Sequence, residues 1–184
     1  MSKKRVFIIH GWEGSPDNHW FPWLKRELES RDYVVIASQF PGEQHPVLAM
    51  WLTELSRIVG EVDSETYFVG HSLGCITILK YLETVPVGTN VAGAILVAGF
   101  ISSLGIPEIE NFIAVPVDAM RIRAACSKIV AFQSTNDDFV SLAHGEVLRD
   151  ELGAKLVVVE NAGHFCAEDG YESFPSLLEK LLAL

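Results

Sequence analysis

Two periodicities alternate along this chain. Short runs of β-branched and aliphatic residues recur at 5–10, 33–37, 66–69, 91–97, 128–132 and 155–159, and none has a regularly polar face. Each reads as a strand buried on both sides, as parallel strands are. Between them, apolar positions recur at helical spacing over 20–30, 47–59, 73–82, 142–151 and 175–184. A parallel connection needs a crossover, and the crossover helix must bury its apolar stripe. The alternation therefore predicts an α/β architecture: a doubly wound, mainly parallel six-stranded sheet with helices on both faces. In such sheets the functional groups collect at the carboxyl ends of the strands. The connection at 99–117 shows neither period and has room for a small cap at most, so no large cap domain is expected.

The chain has 184 residues, without repeat, low-complexity run or Pro/Gly/Ser-rich linker, which predicts one domain over 1–184. A formal net charge of -10 argues against a nucleic-acid partner, because binding to a phosphate backbone runs on Lys and Arg, and it disfavours an anionic membrane surface for the same reason. Lys3, Lys4 and Arg5 resemble the start of a signal peptide, yet the apolar run after them ends at His10-Gly11, too soon for one. A cytoplasmic location is expected. Cys75, Cys126 and Cys166 are widely spaced and lack a CxxC pair, so reduced, mostly buried thiols are expected rather than disulfides or a zinc site.

Chemistry enters at the third strand, which runs into Gly70-His71-Ser72-Leu73-Gly74 and then a helix. A bare GxSxG arises by chance in about one chain of this size in ten to twenty. Its context here, a buried strand before and a helix after, is what the nucleophile elbow requires. Ser72 would sit on a sharp turn with its hydroxyl above the sheet, and the Leu73 N–H would lie at a helix N-terminus, where unpaired donors stabilise a developing oxyanion. After the fifth strand comes Ser134-Thr135-Asn136-Asp137-Asp138, and after the sixth Asn161-Ala162-Gly163-His164. The order Ser, Asp, His is that of the α/β-hydrolase fold. It makes His164 the candidate general base and Asp137 or Asp138 the carboxylate orienting it. The first strand ends in His10-Gly11-Trp12-Glu13-Gly14, a loop suited to offer a second oxyanion N–H from Trp12, whose indole would line the pocket mouth. With His164 as base, ester cleavage should fall with acid through a single ionisation.

His10, His71 and His164 could converge above the sheet, but no HxH or HExxH spacing supports a metal. Trp20, Trp23 and Trp51 fall in helical stretches and read as core. Cys75 and Cys166 read as space-filling, His71 as the variable residue of the elbow, and His19, His45 and His144 carry no assignable role.

The stretches His10-Gly11, 18–24, 70–75, 95–100, Asp137-Asp138 and Gly163-His164-Phe165, taken in order, resemble the compact serine hydrolases of retinoblastoma-binding protein nine and the bacterial YdeN-type α/β-hydrolases. The resemblance covers nearly the whole chain. It implies a hydrolase fold trimmed to six strands, no cofactor, no large cap, and esterase-like activity on small esters. In the wider hydrolase pattern the acid stands three residues after a Gly or Ser and three before a Val. Ser134, Asp137 and Val140 fit that frame, which favours Asp137 over Asp138. Ser141 stands where Pro is common, and Asn136 replaces an acid frequent in relatives. The protein partnership described for the human relative has no matching motif here.

The function expected is hydrolysis of a small-molecule carboxylic ester through an acyl-Ser72 intermediate, with short acyl chains suggested by the small 99–117 insertion. The same machinery could cleave amides or peptides. A non-enzymatic binding module on the same fold would show a broken triad, and thiol chemistry through Cys75 or Cys166 would survive loss of Ser72.

Overall fold

A computed structural model describes residues 3–42 and 44–184; Met1 and Ser2, which open the charged N-terminal stretch, lie outside it. Six strands form one sheet: β1 (Arg5–Ile9), β2 (Val34–Ala37), β3 (Thr66–His71), β4 (Gly93–Val97), β5 (Ile129–Ser134) and β6 (Lys155–Val159). Their order is β2-β1-β3-β4-β5-β6, and all five pairings are parallel, so the sheet is parallel throughout rather than mainly. The helices are α1 (Phe21–Glu29), α2 (Leu48–Val59), α3 (Leu73–Leu82), α4 (Ala119–Ala125), α5 (Leu142–Leu152) and α6 (Pro175–Leu182).

Two apolar cores flank the sheet. One holds the buried faces of α2, α3, α4 and α5, the other those of α1 and α6. Every residue of α3 is buried, which explains why its sequence is apolar on all sides rather than striped. The edge strands depart from the two-sided burial expected of them. Val34 is 40% exposed and Val158 47% exposed, because among the described residues no further strand covers either edge.

Helix α4 was not legible in the sequence, since seven residues are too few for a periodicity to emerge. Its start is set by Asp118, whose carboxylate accepts the N–H groups of Met120 and Arg121, both at 3.1 Å. The aperiodic connection after β4 contains a 3-10 turn, Pro107–Phe112, whose Phe112 packs edge-on against Trp51 at 5.4 Å between ring centroids. Among the described residues no helix is long and apolar enough to cross a membrane.

The winding reverses between β1 and β3: the chain leaves β1 for β2 on one side and returns to β3 on the other. Ile9 pairs with Gly70, so these two strands end level with each other. Loops diverge from such a switch point and leave a crevice above the carboxyl ends.

Candidate functional site

Ser72 sits at that switch point with φ 52° and ψ -118°, a conformation that costs an L-residue on the order of 1–3 kcal/mol and persists only where its surroundings impose it. They do. The Ser72 N–H donates to Val97 O at 2.9 Å, and the Cys75 N–H donates back to Ser72 O at 2.9 Å. A Cβ on Gly74 would lie 2.3 Å from the Ile9 carbonyl oxygen, and one on Gly70 would lie 2.9 Å from the Cys75 nitrogen. Only glycine fits at either position, which is the steric meaning of the motif. The Ser72 N–H is engaged, whereas Leu73, which opens α3 and lines the cavity, has a main-chain N–H in the first turn, where no intrahelical acceptor is available.

On the β1 side, a Cβ on Gly11 would be 3.1 Å from the Ser72 Cβ, so this loop passes directly beside the serine. His10 shapes it: the Nδ1–H donates to Gly11 O at 2.7 Å while Nε2 accepts the Phe40 N–H at 2.9 Å. The next residue, Trp12, lines the same cavity as Ser72 and Leu73, and its indole N–H donates to Gln44 O at 3.2 Å. Among the described residues no backbone carbonyl accepts the Trp12 main-chain N–H.

His164 and Asp137 meet. Nδ1 of His164 lies 2.7 Å from Asp137 Oδ2, and the Asp137 side chain has no exposed surface. The other carboxylate oxygen accepts the N–H groups of Phe139 at 2.8 Å and Val140 at 3.0 Å, which satisfies it and fixes its rotamer. Asp138 is exposed, and of the two acids it is Asp137 whose side chain reaches His164. The loops after β5 and β6 are stitched together. Ser134 Oγ accepts the Ala162 N–H at 3.0 Å and donates to Asn136 Oδ1, which also accepts the Gly163 N–H at 2.9 Å. Asn136, the departure from the family pattern, is thus the splice that brings His164 over Asp137. Ser141, the other departure, is the residue preceding α5.

Three contributors were missed in the sequence. Asp169 Oδ2 accepts the His164 N–H at 2.9 Å and the Cys166 N–H at 3.0 Å, clamping the turn that carries His164. The Nε2–H of His71 donates to His164 O at 2.8 Å, and its ring lies 4.8 Å from the His164 ring, so this residue is a structural neighbour rather than an indifferent filler. Burial holds His71 well below the ordinary imidazole pKa, with the charge of His164 adding to the effect, and keeps it neutral. His19 lines the cavity, its Nδ1 accepting the Ala167 N–H at 3.0 Å. A glycine motif gives no hint of what its variable position does, and nothing in the local sequence marks an aspartate five residues after His164.

Ser72, Leu73, Trp12, His164, His71 and His19 border one cavity of about 220 Å³. Cys166 also reaches it, contrary to the expectation that it only fills space. Burial first, and then the charges of Asp169, Glu168 and Asp137, push its thiol up to about 12. Burial raises the Cys75 thiol further, and that thiol donates to Val97 O. Neither is a thiolate at neutral pH. Trp20 and Trp51 are core residues as expected; the Trp20 indole also donates to Phe165 O at 3.2 Å, tying α1 to the His164 loop.

Of possible metal ligands, His19, Cys166 and Glu168 bring donor atoms within 4.8 Å of one another. The lone pair of His19 Nδ1 is used by the Ala167 N–H, so in this arrangement the ring offers no free pair toward the other two. The three histidines considered in the sequence do not form a ligand set either, since both ring nitrogens of His10 are engaged with Gly11 and Phe40.

The serine hydrolase family profile matches residues 6–183. YdeN of Bacillus subtilis (strain 168) is 34% identical over 179 residues, covering 97% of this chain and 94% of that one. Its crystal structure superposes with a TM-score of 0.94 over 98% of both chains. The serine hydrolase RBBP9 of Rattus norvegicus is 29% identical over 166 residues, covering 88% of this chain and 87% of its own. A hydrolase of the alpha/beta superfamily from Xanthomonas campestris pv. campestris shares the fold at 18% identity, with a TM-score of 0.72 over the full length of both chains. The chain belongs to the serine hydrolase family and has the α/β-hydrolase fold.

Proposed function

We propose that this serine hydrolase cleaves small-molecule carboxylic esters through an acyl-Ser72 intermediate. His164 takes the Ser72 proton as the hydroxyl attacks the ester carbonyl, then returns it to the departing alkoxide. Asp137 holds the Nδ1–H of His164, so that Nε2 carries the lone pair and the imidazolium formed in the transition state is balanced. The N–H groups of Leu73 and Trp12 receive the oxyanion. Water, activated by the same histidine, then releases the acid.

The observation that carries this reading is the 2.7 Å contact between His164 and a carboxylate with no exposed surface, on the cavity that Ser72 borders in a strained conformation. Burying a carboxylate costs desolvation, which the three hydrogen bonds to Asp137 offset while holding it against His164. The neutrality of His71 favours it too, since a cation 4.8 Å from His164 would oppose formation of the imidazolium.

The test is labelling of the purified protein with a fluorophosphonate probe, alongside p-nitrophenyl acetate turnover, in wild type and Ser72→Ala. Labelling and turnover should both vanish in the variant. Equal labelling of the variant, or none of the wild type, would overturn the assignment and favour a binding module on a hydrolase fold.

A further inference from the structure

The two walls of the cavity beside Ser72 differ in chemistry. One wall is apolar: Leu104, Ile106 and Ile109, from the connection after β4, packed on the core face shared by α2 and α3. The other carries the polar side chains, His164, His19 and Cys166, from the loops after β6 and β1, with the Phe139 ring 5.1 Å from that of His164 and the Phe21 ring 5.8 Å from that of His19. If His164 protonates the leaving oxygen, the alcohol must depart on the histidine side. The acyl chain, bonded to the same carbon, then points away from it, toward the apolar wall.

Resting on the hydrolase reading, we propose that Leu104, Ile106 and Ile109 form an acyl-binding wall selecting neutral aliphatic acyl groups of short to medium length and rejecting anionic ones. Charge supports the exclusion. Among the described residues no lysine or arginine borders the cavity, whereas Glu13 does. A carboxylate on the acyl chain would lose its water without gaining a partner. Size supports the length limit: about 220 Å³ is below the ~300–1,000 Å³ of pockets that enclose drug-sized ligands.

The segment that carries the wall is tethered within its 3-10 turn and again just after it. Asn111 Oδ1 accepts the Leu48 N–H at 2.8 Å, and its Nδ2 donates to Pro46 O at 3.0 Å, tying the turn to the start of α2. Farther on, Lys80 of α3 donates to Pro116 O at 3.0 Å, and its ion-pair partner Glu83 accepts the Asp118 N–H at 2.7 Å. Pocket depth is therefore set by two polar clasps on the helices that flank the nucleophile. Asn111 acts as a positioning residue for the wall.

The test compares p-nitrophenyl acetate, butyrate, hexanoate, dodecanoate and hydrogen succinate. Each methylene added up to hexanoate should raise kcat/KM about fourfold, the equilibrium value of one buried CH₂, and dodecanoate should fall below hexanoate. Hydrogen succinate should be at least ~10-fold poorer than butyrate, a similarly sized neutral acyl group. I106W should lower the hexanoate-to-acetate ratio at least ~10-fold by filling the wall, with fluorophosphonate labelling reporting that the site is folded. If that variant fails to label, Leu104→Phe supplies the same ratio. Asn111→Ala should cut the gain per methylene to about twofold or less, half the value of a fully buried CH₂. Acetate cleavage with a flat chain-length profile, or with hydrogen succinate as good as butyrate, would overturn the wall and leave the hydrolase reading standing. Absence of both acetate cleavage and labelling would overturn both.

Discussion

The carboxyl-end rim of the sheet and its amino-end rim are made from the same strands and loops, yet they carry strain very differently. Among the described residues, the non-glycine positions with positive φ are Glu13, His19, Asp32, Ser72, Ala98, Asn161 and Phe165. All except Asp32 follow the carboxyl end of a strand. At the amino end the left-handed turns fall on glycines, such as Gly60 at φ 63° and Gly153 at φ 70°, and the loops are tied down by ordinary means. Arg5, for instance, donates to Val59 O at 2.9 Å and to Thr66 Oγ1 at 2.8 Å. Strain that a glycine would relieve is concentrated at the rim that carries the crevice, where Glu13, His19 and Ser72 line the cavity, and is largely avoided at the other rim.

This contrast can be broken most severely at the carboxylate. Asp137→Asn keeps the size of the side chain but removes the charge that balances His164 and can present the wrong hydrogen to Nδ1. Ester turnover should fall about 10⁴-fold, measured as kcat/KM on p-nitrophenyl acetate, with the fluorophosphonate labelling rate falling in parallel. No comparable loss is expected from any single surface carboxylate at the amino-end rim.

Steric economy at the elbow gives the next largest effect. Gly74→Ala drives a methyl into the Ile9 carbonyl, 2.3 Å away, and neither β1 nor α3 can yield easily because both are buried. We expect a loss of about 3 kcal/mol in urea unfolding, together with loss of activity. A variant of wild-type stability would mean that the elbow is looser than its geometry indicates.

Acid sharpens the comparison, because the buried histidines belong to the carboxyl-end rim. Burial lowers the pKa of His71 strongly, and burial first also lowers that of His19. The unfolded chain therefore takes up these protons before the folded protein does. Stability present above about pH 6.5 is lost as pH falls toward the folded values, by about 1.4 kcal/mol per pH unit for His71 alone. Urea unfolding at pH 7 and pH 5.5 measures the loss. His71→Gln, which can still donate to His164 O but cannot take up a proton, should flatten it. An unchanged acid slope in that variant would show that other groups carry the effect.

The smallest effect is expected at the amino-end exception. Asp32, at φ 64° before β2, has no place in the crevice. Asp32→Gly should raise stability by no more than about 1 kcal/mol, since relief of the left-handed conformation is partly offset by the extra entropy of an unfolded glycine. Esterase turnover should stay the same. A gain in stability accompanied by a change in turnover would mean that the two rims are mechanically coupled.

Much of this was legible in the one-dimensional pattern. All six strands and five of the helices show in the alternation of apolar runs and helical stretches, because burial of a parallel sheet imposes its periodicity directly on residue type. The elbow was legible for a similar reason. The contacts around Gly70 and Gly74 involve residues close in sequence or on the neighbouring strand, so the requirement is written as a short motif. Helix α4 was not, because its seven residues owe their helicity to the Asp118 cap and to packing rather than to a sustained stripe.

The site divides along the same line. Residue type and order determined which serine, histidine and pair of aspartates to consider, because chemistry restricts nucleophile, base and orienting acid to few side chains. The family frame already favoured Asp137 over Asp138; what only the tertiary structure supplies is the burial of the Asp137 side chain and its 2.7 Å contact to His164, which depend on how the β5 loop turns back on itself. The supporting groups, His71, Asn136 and Asp169, were decided only by tertiary structure. Each acts through a hydrogen bond to the backbone of the His164 loop, and a backbone acceptor or donor leaves no trace in the identity of the residue that owns it.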